Sequence, residues 1–592
     1  MNLNQHLTQL EAAQLITLAQ TQPEIEYFFR HTLVQEAVYR SIPRPERQQI
    51  HARVGAVLER SYPERSEALA PILAEHYFQA GDLARAWKYL IQAGQAAMRH
   101  YAIPEAIQLY TRMLSIARQE PLPQAGICRE RGLAYETMGA FEQANQDYLA
   151  AFQAARAAGD APEEWQALIH LGNLWAARNY DHSGKYLRHA LDLARRMGQP
   201  PALAHSLNRL GNWHLNADLP AEALQYHREA LAIFEQLQDT PGRAETLDLL
   251  GLASFLGGDL VQGQLSMQQA IPLFEQCGDR RGLASALASL GMAAGSYQGA
   301  SLVPGDYTLT QAVETTRRAA EVAVGIYWPA GQAYSLMAQA HALGALGEYG
   351  QGLEQVQECC RIARQIGHQQ WLAGGMIFHA MLLTDLLALD QAQMLLEQAF
   401  TLARRIRSWH WVRLAAGQLA MTYINQGKNA QASALLRALP PLKSSGQTLG
   451  YRMCRCAEVE LALAEYDAPR ALEEIERLAA SDPNASGDHA GPWLVVARAR
   501  ALAMQGQFEP ARTALLAGMD DVRQVGNLAM LWRMHAALSN LYGEMGQRQA
   551  AHSELAGGQI VIARLASNIP EPALQDNFLH QARAAFQYEA AG

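Results

Sequence analysis

Apolar and small residues recur along most of this chain with a period of about forty residues. The segment from Leu207 to Phe234 has apolar positions at helical spacing on both sides of a short polar turn. The same arrangement returns forty residues later, from Leu247 to Phe274, with different surface residues. A repeat of this length is typical of proteins in which each unit buries its apolar face against its neighbours.

Each unit contains two small positions that are twelve residues apart, except where a nine-residue insertion separates Gly291 from Ala312. The first position holds Gly132, Gly172, Gly211, Gly251, Gly291, Ala340, Ala380, Ala420, Val459, Ala499 and Ser539, with Val459 as the exception in size. The second holds Ala144, Gly184, Ala223, Gly263, Ala312, Gly352, Ala392, Ala432, Ala471, Ala511 and Ala551. Two helices that cross closely need small residues where their backbones approach, so this spacing predicts a helical hairpin in every unit.

Glycines also predict where the first helix of a unit ends. Seven residues after the first small position, six units have a glycine: Gly139, Gly258, Gly347, Gly427, Gly506 and Gly546. Glycine is the usual residue just beyond a helix C-terminus because it adopts positive φ without strain. We found no segment with the two-residue period of a strand, and therefore expect an all-α protein.

The pattern resembles the tetratricopeptide repeat in a lengthened form, from Gln124 to about Arg564. The resemblance implies a right-handed α-α superhelical solenoid of eleven hairpins across 119–564, with an insertion near 295–304 and a C-terminal capping helix at 565–592. Single units depart from the pattern, since Val459 is large and Asn179 replaces a turn glycine.

The beginning of the chain does not follow the repeat. The run from Phe28 to Tyr39, FFRHTLVQEAVY, resembles the end of the winged-helix domain in bacterial signal-transduction (STAND/AAA-type) ATPases. This resemblance implies a winged-helix-like remnant at 1–60, transition helices or a capping repeat at 61–118, and contact of His31 with bound nucleotide if an ATPase module is present. Thr32 replaces the family's Asp, and a surface or helix-capping role for His31 remains the alternative.

No catalytic motif accompanies these elements. A phosphate-binding loop of the form G-x-x-x-x-G-K-[ST] does not occur, and neither do the serine-hydrolase elbow or the H-E-x-x-H motif. The six cysteines are scattered, and Cys454 and Cys456 have no matching second pair, so we expect ordinary buried thiols. The sequence therefore predicts no enzyme activity, no metal and no cofactor of its own.

The resemblance also indicates which residues face the concave surface of the solenoid. They lie one residue after and three residues before the first small position. The early units contribute a polar row, and the later units a mostly apolar, methionine-rich row. The predicted groove residues are Arg129, Asn173, Asn208, Asn212, Asp248, Met337, His341, Ile377, Met381 and Met421. The alternative is a tightly wound superhelix that buries these residues against its own turns.

Charge and composition restrict the partners. A net charge of -9 makes broad nucleic-acid binding unlikely on electrostatic grounds, and no apolar run is long enough to cross a membrane. We expect a cytoplasmic scaffold or sensor arm that binds a protein, a peptide or a small-molecule effector and relays this to a nucleotide-binding module in cis or in trans. The alternative is a free-standing adaptor that assembles a complex without any ATPase, which a start at Met1 favours. A further alternative is the regulatory arm of a transcriptional activator or nucleotide cyclase.

Overall fold

The protein is almost entirely helical. The computed structural model describes residues 3–20, 26–118, 122–292, 307–441, 448–480 and 491–586. The insertion expected near 295–304 lies outside these residues. The helices are α1 Leu3–Ala12, α2 Thr32–Ser41, α3 Arg44–Ser61, α4 Ser66–Ala80, α5 Leu83–Arg99, α6 Ile103–Ala117, α7 Ala125–Thr137, α8 Phe141–Ala158, α9 Ala161–Ala176, α10 Tyr180–Met197, α11 Pro200–Asn216, α12 Pro220–Gln236, α13 Thr240–Leu256, α14 Leu260–Cys277, α15 Arg280–Met292, α16 Leu309–Gly325, α17 Pro329–Leu346, α18 Tyr349–Gln365, α19 Gln369–Asp385, α20 Leu389–Ile406, α21 Trp409–Asn425, α22 Asn429–Arg437, α23 Leu449–Ala464, α24 Ala468–Ala480, α25 Pro492–Met504, α26 Phe508–Val525, α27 Leu528–Glu544, α28 Arg548–Ser567 and α29 Pro572–Ala584.

Two short strands near the N-terminus are the exception to the helical pattern. Strands β1 (Ile16–Gln20) and β2 (Glu26–Phe29) pair antiparallel, with Ile16 opposite Phe29. The sequence pattern gave no sign of them, because each strand is too short to show a clear two-residue alternation. A short 3-10 turn, Pro63–Arg65, lies between α3 and α4.

The chain divides into two compact units, Met1–Ala134 and Tyr135–Gly592. In the first unit α3, α4, α5 and α6 pack in succession. The rings of Tyr77 and Tyr89 stack in its interior, and the Tyr77 hydroxyl donates to Glu59 Oε2 at 2.6 Å. Hydrogen bonds from Tyr77 and then Tyr89 lower the pKa of Glu59. Hydrogen bonds to the Glu59 carboxylate therefore link α3 to α4 and α5.

The second unit is a stack of helical hairpins, as the repeat predicts. Consecutive helices from α9 to α21 pack against each other. At one close crossing, a Cβ added to Gly251 would lie 3.0 Å from the Gly263 carbonyl oxygen, and one added to Gly263 would lie 3.1 Å from that of Gly251. The six turn glycines predicted above all have positive φ. The solenoid of tetratricopeptide-like hairpins is thus confirmed.

Successive turns of this stack also contact each other. Helix α11 packs against α21, and α17 packs against α27, although nine helices lie between the members of each pair. The backbone N–H of Gln370 donates to the Ala177 carbonyl at 3.1 Å, and that of Gly350 to the Asn568 carbonyl at 2.9 Å. The second unit is therefore wound tightly enough for hairpins five repeats apart to share an interface.

Candidate binding cavity

Two residues of the predicted polar row, Asn208 and Asp248, belong to a hydrogen-bonded seam between neighbouring first helices. Asn208 on α11 is fully buried, and its amide donates to Thr246 Oγ1 on α13 at 2.8 Å. The Asn208 side-chain oxygen lies 3.2 Å from His227 Nδ1. Similar contacts join Trp165 to Ser206 and Ser289 to Tyr334. These side chains stabilise the stack and are not open to a ligand.

Asp248 belongs to the same seam. Its side chain is buried and accepts a hydrogen bond from Ser285 Oγ at 3.2 Å. Burial raises the pKa of Asp248 to about 7, against a weaker opposing effect of the Ser285 bond. For Asn208 and Asp248 the prediction of an exposed groove is therefore corrected, because neighbouring helices cover both.

The apolar row is also covered. Met337 and Ile377 are fully buried, Met381 is 4% exposed, and His341 is buried against the edge of Phe378. Burial lowers the pKa of His341 to about 4. Helix α17, which carries the first of these residues, is covered by α27 from the next turn. The prediction that these four residues line an exposed groove is therefore wrong. They are buried within a tightly wound superhelix, as the alternative proposed.

The remaining predicted residues are more accessible but do not form one site. Asn173 and Asn212 are half-buried on α9 and α11. Arg129 lies in the first unit, where its guanidinium pairs with Glu130 at 2.8 Å. His31 is exposed and stands directly before α2 without a side-chain cap bond. Its contact with nucleotide stays a prediction.

Met421 is the predicted groove residue that reaches open space. It lines a cavity of about 1240 Å³ in the second unit, enclosed by α21, α23, α25 and α27, with α29 and the turn between α19 and α20 at its margins. The equivalent residues of the next three units, Glu460, Arg500 and Asn540, line it as well. The positional rule for the concave surface therefore holds in these four units, whose residues line the cavity.

The enclosed part of the cavity wall is rich in methionine and tryptophan, beside nearly as much polar surface in the lining as a whole. Met421 is half-buried, while Met453 and Met530 are nearly enclosed. Trp493 and Trp532 add broad aromatic surfaces from α25 and α27. Flexible thioethers adapt to differently shaped apolar groups, and concave apolar cavities with a few polar residues are typical binding sites.

Both guanidinium groups in the cavity are already engaged by carboxylates. Arg500 Nη1 lies 2.8 Å from Glu460 Oε2, and Arg533 Nη2 lies 3.2 Å from Asp385 Oδ1. Helix α29 is fixed at the margin by Asn577, whose amide donates to the Leu387 carbonyl at 3.2 Å. These contacts hold the walls of the cavity together before any ligand arrives.

Sequence reasoning found Met421 but missed the other residues around it. Glu460, Arg500 and Asn540 occupy the same position in their units, so the rule that selected Met421 selects them too once the later units are compared. Trp532 and Leu574 carried no such signal, because they enter the cavity only through the arrangement of α27 and α29.

Among the residues that the structure describes, no three His, Cys, Asp or Glu side chains converge in a way that could hold a metal ion. Cys454 and Cys456 are buried, as expected of structural thiols. Within the same part of the chain, no helix combines the length and apolar character needed to span a bilayer.

Comparison with known proteins gives limited similarity. No protein-family profile matches the chain. An uncharacterized protein of Rhizobium meliloti (strain 1021) is 32% identical over 93 residues, which cover 16% of this chain and only 9% of the relative's length.

Similar solved structures include the APC/C hetero-tetramer Cut9-Hcn1, with a TM-score of 0.44, 13% identity, and coverage of 85% of this chain and 95% of that one. Yeast Tom70 has a TM-score of 0.31 and 12% identity, over 79% of this chain and 96% of that one.

Proposed function

We propose that this protein is a non-catalytic binding scaffold that holds a segment of a partner protein in the cavity formed by α21, α23, α25 and α27. The observation that supports it most is the cavity itself, which is large and whose lining combines methionine and tryptophan side chains with polar residues. Its volume of about 1240 Å³ exceeds the roughly 300–1,000 Å³ of common small-molecule sites, which favours a peptide segment over a compact metabolite.

The experiment starts from a random peptide library selected against the full chain. Binding of the enriched peptides is measured by fluorescence anisotropy with the unmodified protein and with Met421→Gln/Met504→Gln. Both methionines line the cavity, and glutamine keeps the side-chain length while removing apolar contact. We expect about tenfold weaker binding. Each substitution removes apolar contact with the peptide equivalent to about one methylene group or more, and two such losses together correspond to about a tenfold change in affinity.

Met394→Gln is the matched control, because Met394 on α20 is 58% exposed and is not among the residues lining the cavity. It should bind the peptides as the unmodified chain does. Enriched peptides that bind Met421→Gln/Met504→Gln with unchanged affinity, or a library that yields no binder, would contradict the proposal.

In its more specific form, the proposal includes a relay from the cavity to a nucleotide-binding signalling module, acting in cis or in trans. Support comes from the sequence resemblance around His31. This residue is exposed and stands directly before α2. Mixing the chain with such a module should alter its nucleotide turnover, and His31→Ala should abolish that effect. The chain alone should show no ATP hydrolysis, and turnover that depends on His31 would refute the scaffold proposal.

A further inference from the structure

The four inner helices around the cavity all end at it. The last residues of α21, α23, α25 and α27 are Asn425, Ala464, Met504 and Glu544, and all four line the cavity. The carbonyl end of a helix carries a partial negative charge, equivalent to roughly half an elementary charge. Four such ends therefore create a negative potential around one opening.

These helix ends lack the cations that usually offset this potential. None of the four has a basic residue in its last turn. The outer helices α20, α22, α24 and α26 do, with residues such as Arg404 and Arg523. Helix α27 even ends in an acidic residue, Glu544, which is locally unfavourable.

Acidic side chains on the rim add to this potential. Asp390, Glu544 and Glu571 line the cavity and are exposed. Among the described residues none of the three forms an ion pair, while Gln426 donates to Asp390 at 2.8 Å. Glu460 and Asp385 neutralise the two guanidinium groups of the lining. Together with Glu460, the three rim residues bring the lining to four carboxylates against two guanidinium groups, so its net charge is negative.

We propose that the segment bound in this cavity is a basic amphipathic peptide, with apolar side chains on the methionine-rich interior and Lys or Arg at the acidic rim and helix ends. This rests on the proposed function above and specifies its ligand. An acidic peptide would instead meet unopposed carboxylates, and like-charge juxtaposition disfavours such partners.

The test uses three pools of short peptides with central positions randomised among apolar residues. The flanking positions are all Lys, all Gln or all Glu. Binding of each pool to the full chain is measured by fluorescence anisotropy at low and high salt. We expect the Lys pool to bind about tenfold more tightly than the Gln pool and more tightly still than the Glu pool, with the advantage reduced by salt.

The variant Asp390→Asn/Glu544→Gln/Glu571→Gln should remove most of the preference for the Lys pool. The matched control, Glu229→Gln/Glu235→Gln/Glu354→Gln, makes the same change in net charge at exposed positions on α12 and α18 and should keep the preference. An unchanged preference in the rim variant, or an equal loss in the control, would overturn the proposal.

The pools also separate this inference from the proposed function. If the Gln or Glu pool binds as tightly as the Lys pool, and Met421→Gln/Met504→Gln weakens that binding, the cavity binds peptides but the inference about charge is wrong. If none of the pools depends on these methionines, the proposed function itself fails.

Discussion

The contact between turns of the stack can be tested at one buried ion pair. Asp218, in the turn after α11, faces Arg413 on α21, with Oδ2 and Nε 2.5 Å apart. The two side chains are only 3% and 7% exposed. Arg413 Nη2 also donates to the Pro440 carbonyl at 3.0 Å. Burial raises the pKa of Asp218, with Thr448 and Arg413 acting in the opposite direction.

The perturbation is Asp218→Asn, with Arg413→Met as its partner. Asp218 has a φ of 69°, a backbone conformation that asparagine tolerates, so the change isolates the charge. Breaking a buried pair from one side costs about 3–5 kcal/mol, because the remaining charge is left without a counter-charge. Arg413→Met should cost less, since a carboxyl group can take up a proton whereas a guanidinium group stays charged.

The assay is urea unfolding of the single and double variants, followed by circular dichroism. We expect the double variant to be more stable than the sum of the single losses predicts, by about 2 kcal/mol or more. The exposed pair Asp192 and Arg195, 3.9 Å apart on α10, serves as the control and should show little coupling. Additive losses at Asp218 and Arg413 would refute a buried contact between α11 and α21.

Three more predictions concern stability and packing. Burial lowers the pKa of His341 and of His410 from the ordinary 6.5 to about 4. The unfolded chain therefore binds protons that the folded chain does not, and the fold should lose stability as pH falls from about 6.5 to about 4. A melting temperature that stays constant over this range would contradict this prediction. The pKa of Asp248 is instead raised from 3.8 to about 7, so the folded state keeps a proton that the unfolded state releases. Asp248→Asn should therefore stabilise the fold by up to roughly 4 kcal/mol above about pH 7 and little near pH 4, as measured by urea unfolding at both pH values. Met381→Glu places a charge at a 4% exposed site and should destabilise the helical fold severely, whereas Met421→Gln should leave the thermal melt nearly unchanged.

The sequence predicted the hairpins because their determinants are local. Small residues such as Gly251 and Gly263 are needed where two adjacent helices touch, and Gly139 or Gly347 is needed where the chain turns with positive φ. Each requirement leaves a residue at a fixed distance along the chain. The repeat therefore specifies each hairpin and its immediate neighbours.

The contacts between turns left no comparable signal. The pairing of Asp218 with Arg413 depends on small rotations between repeats, which accumulate over five hairpins. Met337 is fully buried on α17, which contacts α27, whereas Met421 lies beside open space, although both occupy equivalent surfaces of their units. The repeat pattern predicts a groove position for both residues, but it does not indicate which of them is buried and which is accessible.

The most direct test of the binding cavity is photo-cross-linking of a selected peptide that carries a benzophenone group, followed by mass spectrometry of the full chain. We expect cross-links to Met421, Met504 and neighbouring residues of α21, α23, α25, α27 and α29. Cross-links concentrated on α9 to α15, or in residues 3–118, would contradict it.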